Sequence, residues 1–106
     1  MLSFVNLLSS IEYPSQKEKK QFWDVQGILK NRSNESWKFD LRPLKNNSKY
    51  GFFKTKADKM VFEDNNRYIV VDIEELHQYL KENKIKRVRL EELISKLDWN
   101  IILPKN

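Results

Sequence analysis

Apolar positions along the 106-residue chain shift between a spacing of three to four and a strict alternation, and the shifts mark its elements. Apolar residues at 4, 5, 7, 8 and 11 predict a helix over 2–11, ended by Pro14. Ser15-Gln16-Lys17-Glu18 then reads as a capping box opening a short helix to about Gln21. Over 22–29 the β-favouring residues alternate, with Trp23, Val25, Gly27 and Leu29 on the side that fits burial. After the turn residues Asn31-Arg32-Ser33-Asn34, positions 36–41 alternate strictly and put Trp37, Phe39 and Leu41 on one face. The two runs predict a hairpin.

The second half follows the same logic. Pro43 to Lys49 reads as a polar loop, Tyr50 to Phe53 as an apolar stretch, and 54–60 as a short helix or a loop feeding Val61-Phe62. Tyr68-Ile69-Val70-Val71 is continuously apolar, as expected of a strand buried on both faces at a sheet centre. Asp72 and Glu75 predict a second capping box and a helix to about Asn83, with Ile73, Leu76, His77 and Leu80 inward. Leu90, Leu93, Ile94 and Leu97 predict another helix, and 99–103 a last strand stopped by Pro104. The expectation is a single α+β domain over 1–106: a small mixed or antiparallel sheet with an N-terminal hairpin and two C-terminal helices. Trp23, Trp37, Phe39, Ile69, Val71, Leu76, Leu80, Leu93 and Ile94 are expected to form one core.

Composition narrows the chemistry. There is no cysteine, hence no disulfide framework or cysteine metal site, and one histidine cannot build a His-rich zinc site. With only Gly27 and Gly51 there is no glycine-rich phosphate loop. No apolar run approaches the roughly 20 residues of a membrane span, and the first residues lack the cationic lead of a secretory signal, so a cytoplasmic protein is expected. The net charge of +5 is unevenly placed: 17–59 holds twelve Lys and Arg against five acids, a balance of +7, and the remainder is −2. Seven of the thirteen aromatics share that segment, and cations with exposed rings suit phosphates and bases. Lys17, Lys19, Lys20, Arg32, Lys45, Lys49, Lys54, Lys56 and Lys59 are the expected nucleic-acid contacts, with Lys38 on the same surface. Lys84, Lys86, Arg87 and Arg89 form a second basic cluster, which reads as a phosphate contact or, in preference, a solvated loop. His77 reads as a packing residue, and Asp72, Glu74 and Glu75 as helix-opening acids.

The run Phe53-Lys54-Thr55-Lys56-Ala57-Asp58-Lys59-Met60-Val61-Phe62, a turn, and Tyr68-Ile69-Val70-Val71-Asp72-Ile73-Glu74-Glu75-Leu76 resembles the latter half of PD-(D/E)XK-type nucleases, including phage and bacterial members. The resemblance spans about 52–83. It implies an upstream Asp and a Glu-x-Lys on adjacent strands, with carboxylates holding Mg²⁺ and the lysine assisting the attacking water. The nearest counterparts are Asp24, then Glu35 and Lys38, although Glu35-Ser36-Trp37-Lys38 is one residue longer than the motif. Under alternation Asp24 and Lys38 lie opposite their strands' apolar faces and can share the polar side, and Asp40, two residues beyond Lys38, can supply a second carboxylate on that face. Asp24, Lys38 and Asp40 are thus the catalytic candidates, and Asp24 and Asp40 the metal candidates. The leading expectation is a small nucleic-acid-binding domain, nuclease-like in descent; its enzymatic version is a Mg²⁺-dependent nuclease acting as a homodimer. The rival is a protein-interaction module, such as a phage-encoded inhibitor or a small subunit of a larger complex, using the same aromatic surface.

Overall fold

In a computed structural model, which describes residues 4–43, 49–51, 55–85 and 87–105, the chain is an α+β fold built on a six-stranded sheet. The strands are β1 (Leu8–Glu12), β2 (Val25–Leu29), β3 (Ser36–Pro43), β4 (Lys49–Gly51), β5 (Lys59–Glu63), β6 (Arg67–Asp72), β7 (Arg87–Arg89) and β8 (Asn100–Pro104). The helices are α1 (Ile73–Glu82) and α2 (Leu90–Lys96). The sheet runs β1-β2-β3-β5-β6-β8, with β3 and β5 parallel and the other neighbours antiparallel, while β4 and β7 pair as a separate ribbon. Among the described residues, no helix is long and apolar enough to cross a membrane.

The helix expected over 2–11 is a correction. Phe4–Leu7 forms a single 3₁₀ turn, and Leu8 onward is a strand against β2, with Leu8 opposite Leu29. A helix this short is marginal in water, whereas pairing with β2 satisfies the backbone and still buries Phe4 and Leu8. The irregularity between Ser9 and Glu12, with Ser10 at φ 54°, turns the strand's end and leaves Ile11 exposed. The hairpin forms as expected. β2 and β3 are antiparallel with Gly27 opposite Trp37, and Ser33 Oγ in the turn accepts from the Leu29 N–H at 3.2 Å.

Both capping signals mark real element starts. Glu18 N–H donates to Ser15 Oγ at 3.3 Å and Ser15 N–H to Glu18 Oε1 at 3.2 Å, opening a 3₁₀ turn over Glu18–Gln21. Asp72 Oδ2 accepts from Glu75 N–H at 3.1 Å and starts α1, whose Ile73, Leu76 and Leu80 are buried. Glu75 itself reaches elsewhere, accepting from the Asp98 and Trp99 N–H groups and fixing the approach to β8.

The expected single core divides into two layers on opposite faces of the sheet. Met60, Phe62, Ile69 and Val71 pack with Trp23 beneath Leu76, Leu80 and Leu93, and Ile94 lies against them. Phe39, Val61 and Val70 pack on the other face with Phe4, Leu8, Val25 and Leu29, and Trp37 and Trp99 border them. Alternation produces the split, because neighbours along β5 and β6 point to opposite sides. β6 is buried on both faces, as its unbroken apolar run predicts. Trp23 precedes β2 and so joins the helix layer rather than Val25's face. Thr55–Asp58 contains no helix, and the chain feeds β5 directly; Phe52 to Lys54 lie outside the described residues.

Candidate nucleic-acid interface

The open end of the β2–β3 hairpin carries a groove of about 650 Å³ lined by Tyr13, Pro14, Lys19, Phe22, Trp23, Asp24, Asp40, Leu41 and Arg42. Local chemistry assembles it. The capping box closes the turn that carries Lys17, Lys19 and Lys20, and Phe22 ends that turn at φ 66°, its N–H donating to Lys19 O at 3.2 Å. The chain then reverses into Trp23, which is buried, with Nε1 donating to Gln21 Oε1 at 3.1 Å. Asp24 ties the two strands: its N–H donates to Phe39 O at 2.8 Å, and its Oδ2 accepts from Leu41 N–H at 2.7 Å. Lys56 N–H donates to Gln21 O at 2.8 Å, drawing the loop before β5 against the lysine-bearing turn.

Asp40 lies at the groove's base and is 2% exposed. Arg42 grips both its oxygens, Nε at 2.8 Å from Oδ1 and Nη2 at 2.9 Å from Oδ2. Burial pushes the Asp40 carboxyl above its ordinary range; Arg42 and the Thr55 hydroxyl pull it down without cancelling that effect, and the Asp24 charge adds to the rise. The register explains the burial. Asp40 stands opposite Met60 across the parallel β3–β5 pair, on the same side of the sheet as the helix-side core.

Asp24 and Asp40 therefore meet at one groove, but Asp40 is buried on the helix-side face and not on the polar side that alternation assigns it, because both faces of the sheet are covered. Lys38 shares a face of β3 with Asp40, but its ammonium lies 5.3 Å over the Trp23 ring. Glu35 is exposed on the β2–β3 turn at the strands' other end, where it borders a smaller hollow of about 360 Å³ with Asp58, Lys59, Asp72 and Glu74. Around Asp24 the donors do not fit a divalent cation, because Arg42 takes both Asp40 oxygens and places a positive charge where the metal's would lie. Among the described residues, no cluster of three or more His, Asp or Glu side chains is arranged to hold a metal.

The expected phosphate contacts fall in several places. Lys17, Lys19, Lys20 and Lys56 are exposed around the groove's turn. Arg32, also exposed, sits on the hairpin turn at the far end of β2. Lys59 is committed inside the fold. Its side chain is 11% exposed, its Nζ lies 2.7 Å from Asp72 Oδ1, and it sits over the Trp37 and Trp99 rings at 4.7 and 4.1 Å. Lys49 pairs in register with Arg89, so the ribbon brings the basic segment beside the second basic cluster, whose 87–89 part is a strand rather than the expected loop. Lys45 and Lys54 lie outside the described residues, as does Lys86. His77 is half-buried on α1, away from the groove.

Sequence reasoning missed Tyr13 in the groove, and it had Phe22 only as one of the basic segment's seven aromatics. Tyr13 is 65% and Phe22 58% exposed, and among the described residues they are the most exposed large apolar side chains. For Tyr13 the adjacent Pro14 is a signal that the strand has ended and the chain is on the surface. For Phe22 the alternation over 22–29 puts it opposite the buried face, but its positive φ is not written in its neighbours. No family model matches the chain, and neither a curated protein nor a solved structure matches it.

Proposed function

We propose that this chain is a nucleic-acid-binding domain whose interface is the groove at the open end of the hairpin. One observation carries the reading: Phe22 is a bulky residue held at φ 66° and left mostly in water. A left-handed backbone costs a non-glycine residue roughly 1–2 kcal/mol, and the ring's partial burial offsets only part of that. Neither local preference nor the core accounts for a phenylalanine here. A ligand that takes up an aromatic face does, and Tyr13 offers a second ring on the same groove. Lys17, Lys19, Lys20 and Lys56 then supply charge for a phosphate backbone.

Asp24 and Asp40 act as architecture in this reading, one joining β2 to β3 and the other neutralising Arg42. The proposed activity is binding. Fluorescence anisotropy with labelled DNA and RNA at about 50 mM salt tests it, because electrostatic affinity is strong there. Joint replacement of Lys17, Lys19 and Lys20 by Ala should weaken binding to every sequence by a similar factor, since lysine contacts charge and not base edges. Undetectable binding to all nucleic acids under those conditions overturns the proposal, and the exposed rings would then mark a protein interface.

A further inference from the structure

Resting on that reading, we infer that the groove takes single-stranded nucleic acid with the bases turned inward and the phosphates along the lysine-bearing rim. The charges of the groove set this polarity. Its lining holds the Asp24 carboxylate, which is exposed and whose Oδ2 accepts from Leu41 N–H, and its base the buried Asp40 carboxylate, whose charge Arg42 balances. A phosphate entering the groove is repelled by the Asp24 charge, which no salt bridge among the described residues matches. The exposed lysines stand on the capping-box turn, with Lys19 on the groove wall and Lys17 and Lys20 beside it. Phosphates are thus favoured at the turn and disfavoured beside Asp24.

The aromatic faces agree with that arrangement. Tyr13 and Phe22 both line the groove and both expose more than half of their surface. A ring stacks only on a base whose face is open. In a duplex every base face is covered by its neighbours, apart from the ends, so a duplex can reach the lysines but leaves Tyr13 and Phe22 unused. A flexible single strand can turn one base onto each ring while its backbone follows the rim.

Competition is read by anisotropy, using short labelled oligo(dT), oligo(rU) and a blunt-ended DNA duplex of equal length at about 50 mM salt. At least one of the two single strands should bind fivefold or more tighter than the duplex, which is about the contribution of one stacked base. Tyr13→Ala and Phe22→Ala should each lower single-strand affinity by about fivefold or more and leave duplex affinity unchanged, and Phe22→Tyr should restore it. Both positions are exposed, and a far-ultraviolet circular dichroism spectrum matching the parent confirms that each variant is folded. If duplex and single strands bind equally, or the ring variants weaken both alike, the single-strand inference fails while the nucleic-acid reading stands. If no probe binds, both fail.

Discussion

Replacing Phe22 by glycine and, separately, by alanine tests the strain on which the functional reading depends. Phe22 sits at φ 66°, where an L-residue brings its Cβ against the carbonyl oxygen at a cost of roughly 1–2 kcal/mol. It is 58% exposed, so about two-fifths of its surface is covered, worth roughly 0.6–1.2 kcal/mol when full burial of a phenylalanine contributes about 1.5–3. Phe22→Ala loses that contact and keeps the strained backbone, so it should destabilise by about 1 kcal/mol. Phe22→Gly loses the same contact and about 0.5–1 kcal/mol to the greater freedom of the unfolded chain, but gains the roughly 1–2 kcal/mol of strain. The glycine variant should therefore be at least as stable as the alanine variant, by up to about 1.5 kcal/mol. At an unstrained site the order reverses, with alanine ahead by about 0.5–1 kcal/mol. Urea denaturation of the three proteins, compared at a common m-value, reads the order directly. An alanine variant clearly more stable than the glycine variant would show that the backbone at Phe22 carries no strain, and the inference from strain to function would lose its basis. Both variants should bind single strands less well, so stability and binding would separate in Phe22→Gly.

Gly27→Ala should destabilise by about 1–3 kcal/mol, seen as a lower thermal midpoint. The added Cβ would lie 3.1 Å from Leu8 Cβ and from Ser9 O and 3.2 Å from Leu8 Cδ1, so Leu8 and the β1 backbone would have to shift by a few tenths of an ångström against the hairpin. Asp64 should show a pH-dependent contribution. Burial raises its carboxyl, but the Arg67 side chain and the Asn66 and Arg67 N–H groups outweigh burial and hold it below the usual range. A lowered folded value means the stabilisation is present above the unfolded pKa of about 3.9 and is lost as pH falls through the folded value. Asp64→Ala should thus be less stable than the parent at neutral pH, and the gap should narrow in acid; a gap independent of pH refutes the assignment.

The parts of the fold legible in sequence are those whose information is local. The alternation of Trp37, Phe39 and Leu41 fixes the hairpin, and the Ser15–Glu18 and Asp72–Glu75 pairs place element starts because a side chain three residues away supplies the missing partner. The first strand was illegible because its spacing suits a helix, while the groups that decide between helix and strand lie on β2, some twenty residues on. The ribbon of β4 and β7 was illegible for the same reason, being two three-residue strands from opposite halves of the chain. In the site, alternation puts Asp24 and Asp40 on one polar face, whereas they share a groove in which Asp40 is buried. It says nothing of Arg42 closing on Asp40, which follows from burial opposite Met60 across the sheet.

Charge was the least direct of the sequence signals, and it supplies the remaining prediction. The +7 of 17–59 counts formal charges, but a ligand responds to those whose field reaches water beside it. Lys59 is matched by Asp72, outside that segment, and packed between two tryptophans. Arg42 is matched by Asp40, Lys38 rests over Trp23, and Arg32 stands at the far end of β2. Among the described residues, the exposed cations that remain at the groove are Lys17, Lys19 and Lys20 on one turn, with Lys56 joined to it through Gln21 O. Screening confines each exposed charge to about 8–10 Å at ordinary ionic strength, so cations far from the groove add little to a strand bound there. Each phosphate contact contributes about 0.7–0.9 to the dependence of log K on log salt. Four contacts predict a slope of about −3, whereas all twelve cations of the segment would give about −8 to −11. Titrating oligo(dT) between about 50 and 200 mM salt distinguishes the two without any variant. A slope near −3 that falls to about −1 in the Lys17, Lys19, Lys20 triple alanine variant places the phosphates on that turn. A slope unchanged by the triple replacement places them elsewhere, and the groove would no longer be the interface.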